Sequence, residues 1–446
     1  MSSVAQRISG TFLATAAVYA TAALTGPLAA RLLGPEGRGT LAAIQLWPGA
    51  LTTVAMLGLP DAIVYFGARE PGRASQWLFT AQFIALGTAC VAVCIGYPII
   101  SVALRRYDPT VIGAAHLYLL LIPLTVLVGI PAQLTRALGR FGLWNIMRIV
   151  PGLAWLAILA LSFQSRSTSP ETLAVAFLGF LGVEAVVITL ACVKVFSTTQ
   201  WFDPPAARKL LQYGIPSALG TVPQFLNLRL DQMLIAGFLP PAQLGLYVVA
   251  VSWSSMSGMA LSAIAPVLFQ RMAAEHDATH ARAIFGQATR AAVIISGATA
   301  IAFALVTPVS IALLYGAGFR ECVPAALILV GAYAIATTNG VLEDGLRGLG
   351  DPRAILHAEL LGLVVTAASL ALLLGPLGIV GAAVASVVGY AAVTAGLAMA
   401  LRRHDVMLRD AFRPRAADIV NIFRMARKSR LLYRGREAEP AIQPMT

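Results

Sequence analysis

Long apolar runs, separated by short polar or charged segments, fill the chain from its first residues to residue 401. A helix needs about 20 mostly apolar residues to cross the hydrocarbon core of a membrane. Each run reaches that length, so the pattern predicts a membrane-spanning helix for each one. The twelve predicted spans are 8–31, 40–66, 77–103, 111–135, 141–163, 172–196, 213–238, 245–270, 284–314, 323–346, 355–375 and 378–401.

The composition agrees with a polytopic membrane protein. Of the 446 residues, 58% are hydrophobic and only 12% are charged, and the mean hydropathy is +0.79. A soluble domain carries about 25% charged residues, so soluble enzymes, disordered scaffolds and nucleic-acid-binding proteins fit poorly. The connecting segments are too short for a soluble domain, which argues against membrane glycosyltransferases and polymerases. We therefore expect an all-α integral membrane protein that is not an enzyme and needs neither a cofactor nor a nucleic-acid partner.

The positive charges predict the orientation of the chain. Segments on the same side of the membrane as the N-terminus hold about twice as many Lys and Arg residues as the segments on the opposite side. Arg38 is counted on the opposite side, in the loop after the first span. Such an excess marks the cytoplasmic side, so both termini are expected in the cytoplasm. The basic tail at 402–446 is expected to contact anionic lipid headgroups.

An internal repeat predicts two related halves. Residues 30–47 and 236–253 match at a constant offset, and Arg136-Ala-Leu-Gly corresponds to Arg347-Gly-Leu-Gly at nearly the same offset. The matched pairs of the first segment are Ala30/Ala236, Leu33/Leu239, Pro35/Pro241, Gly39/Gly245 and Trp47/Trp253.

Each matched segment occupies the same place in a set of six predicted spans. An even number of spans per repeat makes the halves parallel, and transporters built this way bind substrate between the halves and rock them to alternate access. We therefore expect two pseudo-symmetric six-helix bundles around a central cavity. The predicted parts are an N-terminal half at 1–200, a cytoplasmic linker at 201–212, a C-terminal half at 213–401 and the tail.

Three stretches carry a family resemblance: AARLLGPEGRG at 29–39, RLDQMLIAG at 229–237 and LGLYVVA at 244–250. They resemble the polysaccharide-transporter branch of the multidrug/oligosaccharidyl-lipid/polysaccharide (MOP) flippase superfamily. The resemblance implies a flippase in the bacterial cytoplasmic membrane that moves undecaprenyl-pyrophosphate-linked oligosaccharide for surface or exopolysaccharide assembly. It also implies a proton or sodium ion as coupling ion, and polysaccharide polymerase or export proteins as partners.

Two other functions stay open at this point. One is a cation-coupled multidrug or metabolite antiporter of the same superfamily, which would need a more apolar or acidic cavity. The other is a flippase-like scaffold of a polysaccharide-synthesis complex.

Arginines inside predicted spans are candidate substrate contacts. Arg148, Arg229 and Arg290 lie in spans five, seven and nine, where an ionisable group is costly and is a functional candidate by default. Guanidinium groups fork onto phosphate oxygens and keep their charge when partly desolvated. We expect these arginines to bind the substrate's phosphates; the alternative is that each pairs with an acid and stabilises helix packing.

A charged cluster closes span ten on the cytoplasmic side. Glu343 and Asp344 precede Arg347 by four and three residues, which is the spacing of ion pairs on one helix, and Arg136 occupies the corresponding place in span four. We expect a cytoplasmic gate in which Arg136 and Arg347 draw in the pyrophosphate. A solvated helix end is the alternative.

Four acidic residues are candidates for the coupling ion: Asp61, Glu184, Asp231 and Glu359. Asp231 lies about 200° round the helix from Arg229, so the two are expected on different faces. No metal site is predicted, because the four cysteines lack the spacing of metal ligands.

Overall fold

The computed structural model describes residues 4–165, 168–196, 201–258, 278–349 and 351–403, and in this part of the chain it contains helices and no strand. Side chains are described from residue 10 onward, except at 165, 278–284 and 352. The prediction of an all-α membrane protein is confirmed. Most of the predicted basic tail, 404–446, lies outside the described residues.

The helices are long and mostly joined by a few residues. In chain order they are α1 (Val4–Ala55), α2 (Leu59–Arg69), α3 (Ala74–Ala103), α4 (Pro109–Tyr118), α5 (Leu121–Ala137), α6 (Phe141–Ser165), α7 (Pro170–Val195), α8 (Pro204–Asn227), α9 (Leu230–Phe238), α10 (Pro241–Ser255), α11 (Ala278–Tyr315), α12 (Val323–Gly348) and α13 (Pro352–Arg403).

Eight stretches of the described chain are long and apolar enough to cross a membrane, and two of them are far longer than one crossing requires. The stretch Gly10–Ala55 has 46 residues, about 69 Å of straight helix against a hydrocarbon core of about 30 Å. It bends at Gly34, where φ is 65° and ψ is −178°, a conformation open essentially to glycine alone.

The stretch Arg353–Arg403 bends in the same way at Gly378, where φ is 55° and ψ is −135°. The two glycines therefore divide α1 and α13 where the hydropathy pattern separates the predicted spans. The total of twelve spans and the division into halves remain predictions.

The predicted linker between the halves is partly helical, and its role as a linker stays a prediction. Residues 201–212 are predicted as a linker, yet α8 begins at Pro204 and runs through the rest of that segment. Two prolines at 204 and 205 explain the start, because a proline in the first turn has no amide hydrogen to leave unpaired.

Opposite ends of the bundle are marked by Gly34 and Arg347. Gly318, which precedes α12, lies near Pro35, and α12 runs for 26 residues before it ends at Gly348, beside Arg347. We call these the Gly34 end and the Arg347 end. The predicted orientation places the Arg347 end in the cytoplasm.

At the Gly34 end, α1 and α10 meet backbone to backbone. A Cβ atom added to Gly39 would lie 1.7 Å from the carbonyl oxygen of Pro241, and one added to Gly245 would lie 1.9 Å from that of Pro35. These four residues make up two of the pairs matched in the internal repeat, Pro35/Pro241 and Gly39/Gly245. We call this crossing the glycine contact.

Candidate functional site

A cavity of about 510 Å³ lies beneath the glycine contact, between α1, α6, α10, α11 and α12. Its volume is within the range of about 300–1,000 Å³ that is usual for small-molecule sites. Among the described residues, one cation and no carboxylate line it; the other polar or aromatic lining residues are Tyr19, Thr25, Gln45, Trp155, Ser252, Ser255, Tyr315, Tyr333 and Thr337.

Arg38 is that cation, and the sequence interpretation placed it in a loop. Its Nε atom is buried and has no hydrogen-bond partner among the described residues. Tyr315, the last residue of α11, is 1% exposed, and its hydroxyl also lacks a partner there. Arg38 lies within electrostatic range of both Tyr315 and Arg229. The sequence contained one indication that this position matters, because Arg38 directly precedes Gly39, a glycine of the internal repeat.

Arg148 and Arg136 share one aromatic partner at the Arg347 end. The Arg148 guanidinium carbon lies 4.5 Å from the ring centre of Trp144, and that of Arg136 lies 5.3 Å from it. Such stacking holds a guanidinium group over an aromatic ring. Arg148 also donates to the hydroxyl of Thr15 in α1, at 3.4 Å from Nη1. Trp155 of the cavity lies seven residues further along α6, two helical turns away on the same face.

Arg229 and Asp231 face different surroundings, as expected. Arg229 is exposed at the start of α9 and donates from Nη1 to Gln232 at 3.2 Å. Asp231 is 3% exposed, and its carboxylate accepts from the Tyr247 hydroxyl at 2.6 Å and the Ser386 hydroxyl at 3.2 Å. Asp231 thus joins three helices and does not line the cavity.

Arg290 is buried in α11 and does not line the cavity. Ala288 and Ala292, which flank it on the same helix, belong to a small apolar cluster with Val341 of α12. Its predicted contact with substrate has no support from this placement and remains a prediction.

The ion pairs predicted within α12 form. Arg347 contacts Asp344 at 2.8 Å and Glu343 at 3.4 Å. Glu343, however, is only 2% exposed and also accepts from Gln224 of α8 at 2.9 Å.

Glu343 also lies within electrostatic range of Glu359 of α13, which is 4% exposed. Glu359 in turn accepts from Asn227 of α8 at 3.2 Å. We call Glu343 and Glu359 the carboxyl pair. The structure therefore joins a predicted gate residue to a predicted coupling residue.

Asp61 lies where α2 packs against α8. Its side chain is exposed and accepts a hydrogen bond from Ser217. Nearby, a Cβ atom on Gly58 would lie 2.1 Å from the carbonyl oxygen of Gly214, so these two helices also touch backbone to backbone. Asp61 thus lies at a helix–helix seam, away from the buried carboxyl pair.

Glu184 of α7 is half-buried, and its Oε2 atom is buried without a hydrogen-bond partner among the described residues. It lies near neither the cavity lining nor the carboxyl pair. No group of three or more metal-ligating side chains occurs in the described chain.

The chain matches known proteins in both sequence pattern and fold. Residues 28–324 match the family described as "Polysaccharide biosynthesis protein". The comparison with curated proteins gives no match.

Three solved structures illustrate the shared fold. An inward-facing multidrug resistance MATE family transporter of the MOP superfamily is 16% identical, with a TM-score of 0.71 over 87% of this chain and 94% of that one. The lipid II flippase MurJ, in an inward closed conformation, is 12% identical, with a TM-score of 0.75 over 91% and 89%. A MOP superfamily transporter from Pyrococcus furiosus, described as having a binding pocket of reverse polarity, is 15% identical, with a TM-score of 0.55 over 90% and 93%.

The family match covers well over half of the chain, and the structural matches cover nearly all of it. They agree with the resemblance of the stretches at 29–39, 229–237 and 244–250. The chain belongs to the polysaccharide biosynthesis protein family and has the fold of the MOP superfamily of membrane transporters.

Proposed function

We propose that this protein is a flippase that moves undecaprenyl-pyrophosphate-linked oligosaccharide across the bacterial cytoplasmic membrane by alternating access, with both termini in the cytoplasm. It is a transporter rather than an enzyme in this proposal. The family match and the transporter fold support it. One of the solved structures with this fold is described as a lipid II flippase.

The observation that carries the proposal is the chemistry of the cavity. Its lining combines one arginine with aromatic rings, hydroxyl groups and an amide, and the described lining has no carboxylate. Aromatic faces and hydroxyl groups suit sugar rings, while a guanidinium group suits a phosphate.

The same lining argues against the main alternative. A pocket that exports cationic drugs needs a negative or apolar lining, and a positive charge at Arg38 opposes a cationic ligand. A scaffold needs no cavity with unsatisfied buried donors, since each such donor costs folding free energy.

We further propose that the carboxyl pair is the coupling site and that a proton is the coupling ion. Two carboxyl groups buried close together avoid mutual repulsion when one of them carries a proton. Both groups are buried, and Gln224 and Asn227 of α8 each donate to one of them. Loss of that proton would set two negative charges against each other and favour a different packing of α8, α12 and α13.

Deletion of the gene tests the transport function. We expect a lipid-linked oligosaccharide to accumulate on the cytoplasmic face and the surface polysaccharide to fall. Normal surface polysaccharide without accumulation would contradict the proposal.

Complementation separates transport from scaffolding. Ser252→Trp fills the cavity and should fail to restore export, while Ser101→Trp, at an exposed position away from it, should restore export. A scaffold would tolerate both substitutions.

A further inference from the structure

Arg38 and Tyr315 present two buried, unpartnered donors to one cavity. Arg38 lies beside Gly39 of the glycine contact, and Tyr315 ends α11 at the same end of the bundle. Neither the Arg38 Nε atom nor the Tyr315 hydroxyl has a hydrogen-bond partner in the part of the chain described. A buried donor without a partner is costly, so this pair of side chains is arranged for something that enters the cavity.

The chemistry of the pair selects the ligand class. A guanidinium group only donates hydrogen bonds and always carries a positive charge, and the tyrosine hydroxyl here has a proton to donate. The ligand must therefore supply acceptor oxygens and negative charge together. A neutral sugar hydroxyl satisfies the tyrosine but leaves the charge of Arg38 unbalanced, whereas a phosphate group satisfies both.

The position of Arg38 and Tyr315 in the bundle indicates the step of transport at which they would act. Arg31 of α1 donates from Nε to the carbonyl oxygen of Leu314 at 2.8 Å and from Nη2 to that of Leu313. These carbonyl groups lie in the last turn of α11, where a cation is favourable. The end of α11 that carries Tyr315 is thereby tied to α1, at the same end of the bundle as the glycine contact.

We propose that Arg38 and Tyr315 form an anion subsite at the Gly34 end of the cavity, which holds the phosphate groups of the substrate just before that end opens. The identity of the lipid carrier rests on the proposed function, whereas the binding of a phosphate anion does not. Because Arg38 is in α1 and Tyr315 is in α11, a phosphate bound by both bridges two helices that meet at the Gly34 end.

Binding to the purified, full-length protein in nanodiscs tests the subsite. The probes are inorganic pyrophosphate, farnesyl pyrophosphate and nanodiscs with or without phosphatidylglycerol, and the readout is the Kd from calorimetry. We expect both pyrophosphates to bind. Arg38→Ala should weaken binding by about tenfold or more, and Tyr315→Phe by a few fold, since each removes a donor to a charged ligand.

Matched variants separate the site from general charge effects. Arg105→Ala removes an exposed arginine of the same end and should leave the Kd unchanged, and Arg38→Lys should recover part of the affinity because it keeps the charge without the fork. A response to phosphatidylglycerol alone, without pyrophosphate binding, would identify a lipid headgroup as the source and overturn the assignment to substrate.

Unchanged affinity in Tyr315→Phe and in Arg38→Ala would overturn the subsite. Tyr315→Phe removes a single oxygen atom, so it remains informative if Arg38→Ala does not fold. Failure of the gene deletion to cause accumulation would instead overturn the flippase function and leave a measured pyrophosphate site standing.

Discussion

Gly39 of α1 and Gly245 of α10 touch one another through their backbones, and each is the repeat counterpart of the other. A Cβ atom on either glycine would lie 2.8 Å from the backbone nitrogen of its counterpart, closer than real Cβ contacts. The two segments matched in the sequence therefore pack against each other about a local symmetry, and side chains are excluded from the crossing.

Alanine at either glycine is expected to open the Gly34 end. Gly39→Ala should destabilise the closed conformation by about 1–3 kcal/mol, as overpacking does. In a variant without the native cysteines, Thr25→Cys of the cavity should then react faster with an impermeant maleimide added from outside. Gly49→Ala is the control, because a Cβ atom there meets nothing within 4 Å. Equal labelling in both variants would contradict a closing role.

Neutralising the carboxyl pair is expected to remove coupling. Glu359→Gln keeps a polar side chain beside Asn227 but cannot exchange a proton. In proteoliposomes, an imposed pH gradient should accelerate translocation by the wild type and have almost no effect on this variant. Glu321→Gln, near the Gly34 end, should respond like the wild type. A variant that still responds to the pH gradient would place the coupling elsewhere.

Tyr247→Phe is expected to destabilise the protein without changing its cavity. The substitution removes the 2.6 Å hydrogen bond to Asp231 and leaves that buried carboxylate short of a donor. The cost should be about 1–3 kcal/mol, visible as a lower Tm. Tyr97→Phe, at an exposed tyrosine, should leave the Tm within experimental error. Should both variants melt alike, Asp231 does not depend on Tyr247.

Charge reversal at Arg136 tests the predicted gate. Arg136→Glu loses the stacking on Trp144 and replaces an attractive charge by a repulsive one, so export should fall by about tenfold or more at normal protein level. Arg140→Glu, four residues along the chain and also exposed, is the control for general charge. Unchanged export in Arg136→Glu would rule out the gate at this residue.

Sequence periodicity predicted the features that depend only on the spacing of residues along the chain. Apolar runs gave the membrane helices, and the spacing of Glu343, Asp344 and Arg347 gave ion pairs that form in α12. The repeat identified Gly39 and Gly245 as equivalent positions, although equivalence does not imply contact.

Features that depend on helix rotation and on contact between distant helices were not predictable in this way. Hydropathy placed Arg38 in a loop because the apolar run begins after it, yet α1 resumes at Pro35 and turns this arginine toward the cavity. The carboxyl pair joins two residues of separate helices, and no pattern within one helix reveals the rotation of the other. The depth of Asp231 makes it a candidate coupling residue, and this stays a prediction; the hydrogen bonds that Tyr247 and Ser386 donate to its carboxylate were not predictable from the sequence.

The bends at Gly34 and Gly378 have a practical consequence for studying this protein. Each bends the chain within one residue, so the helices on either side leave no loop that an antibody can recognise or a protease can cut. An epitope tag or a reporter inserted at either glycine would separate helices that now follow directly from one another. The segment 104–108, between α3 and α4 at the Gly34 end, leaves more chain between its helices, and we expect it to accept such an insertion with far less loss of the folded protein.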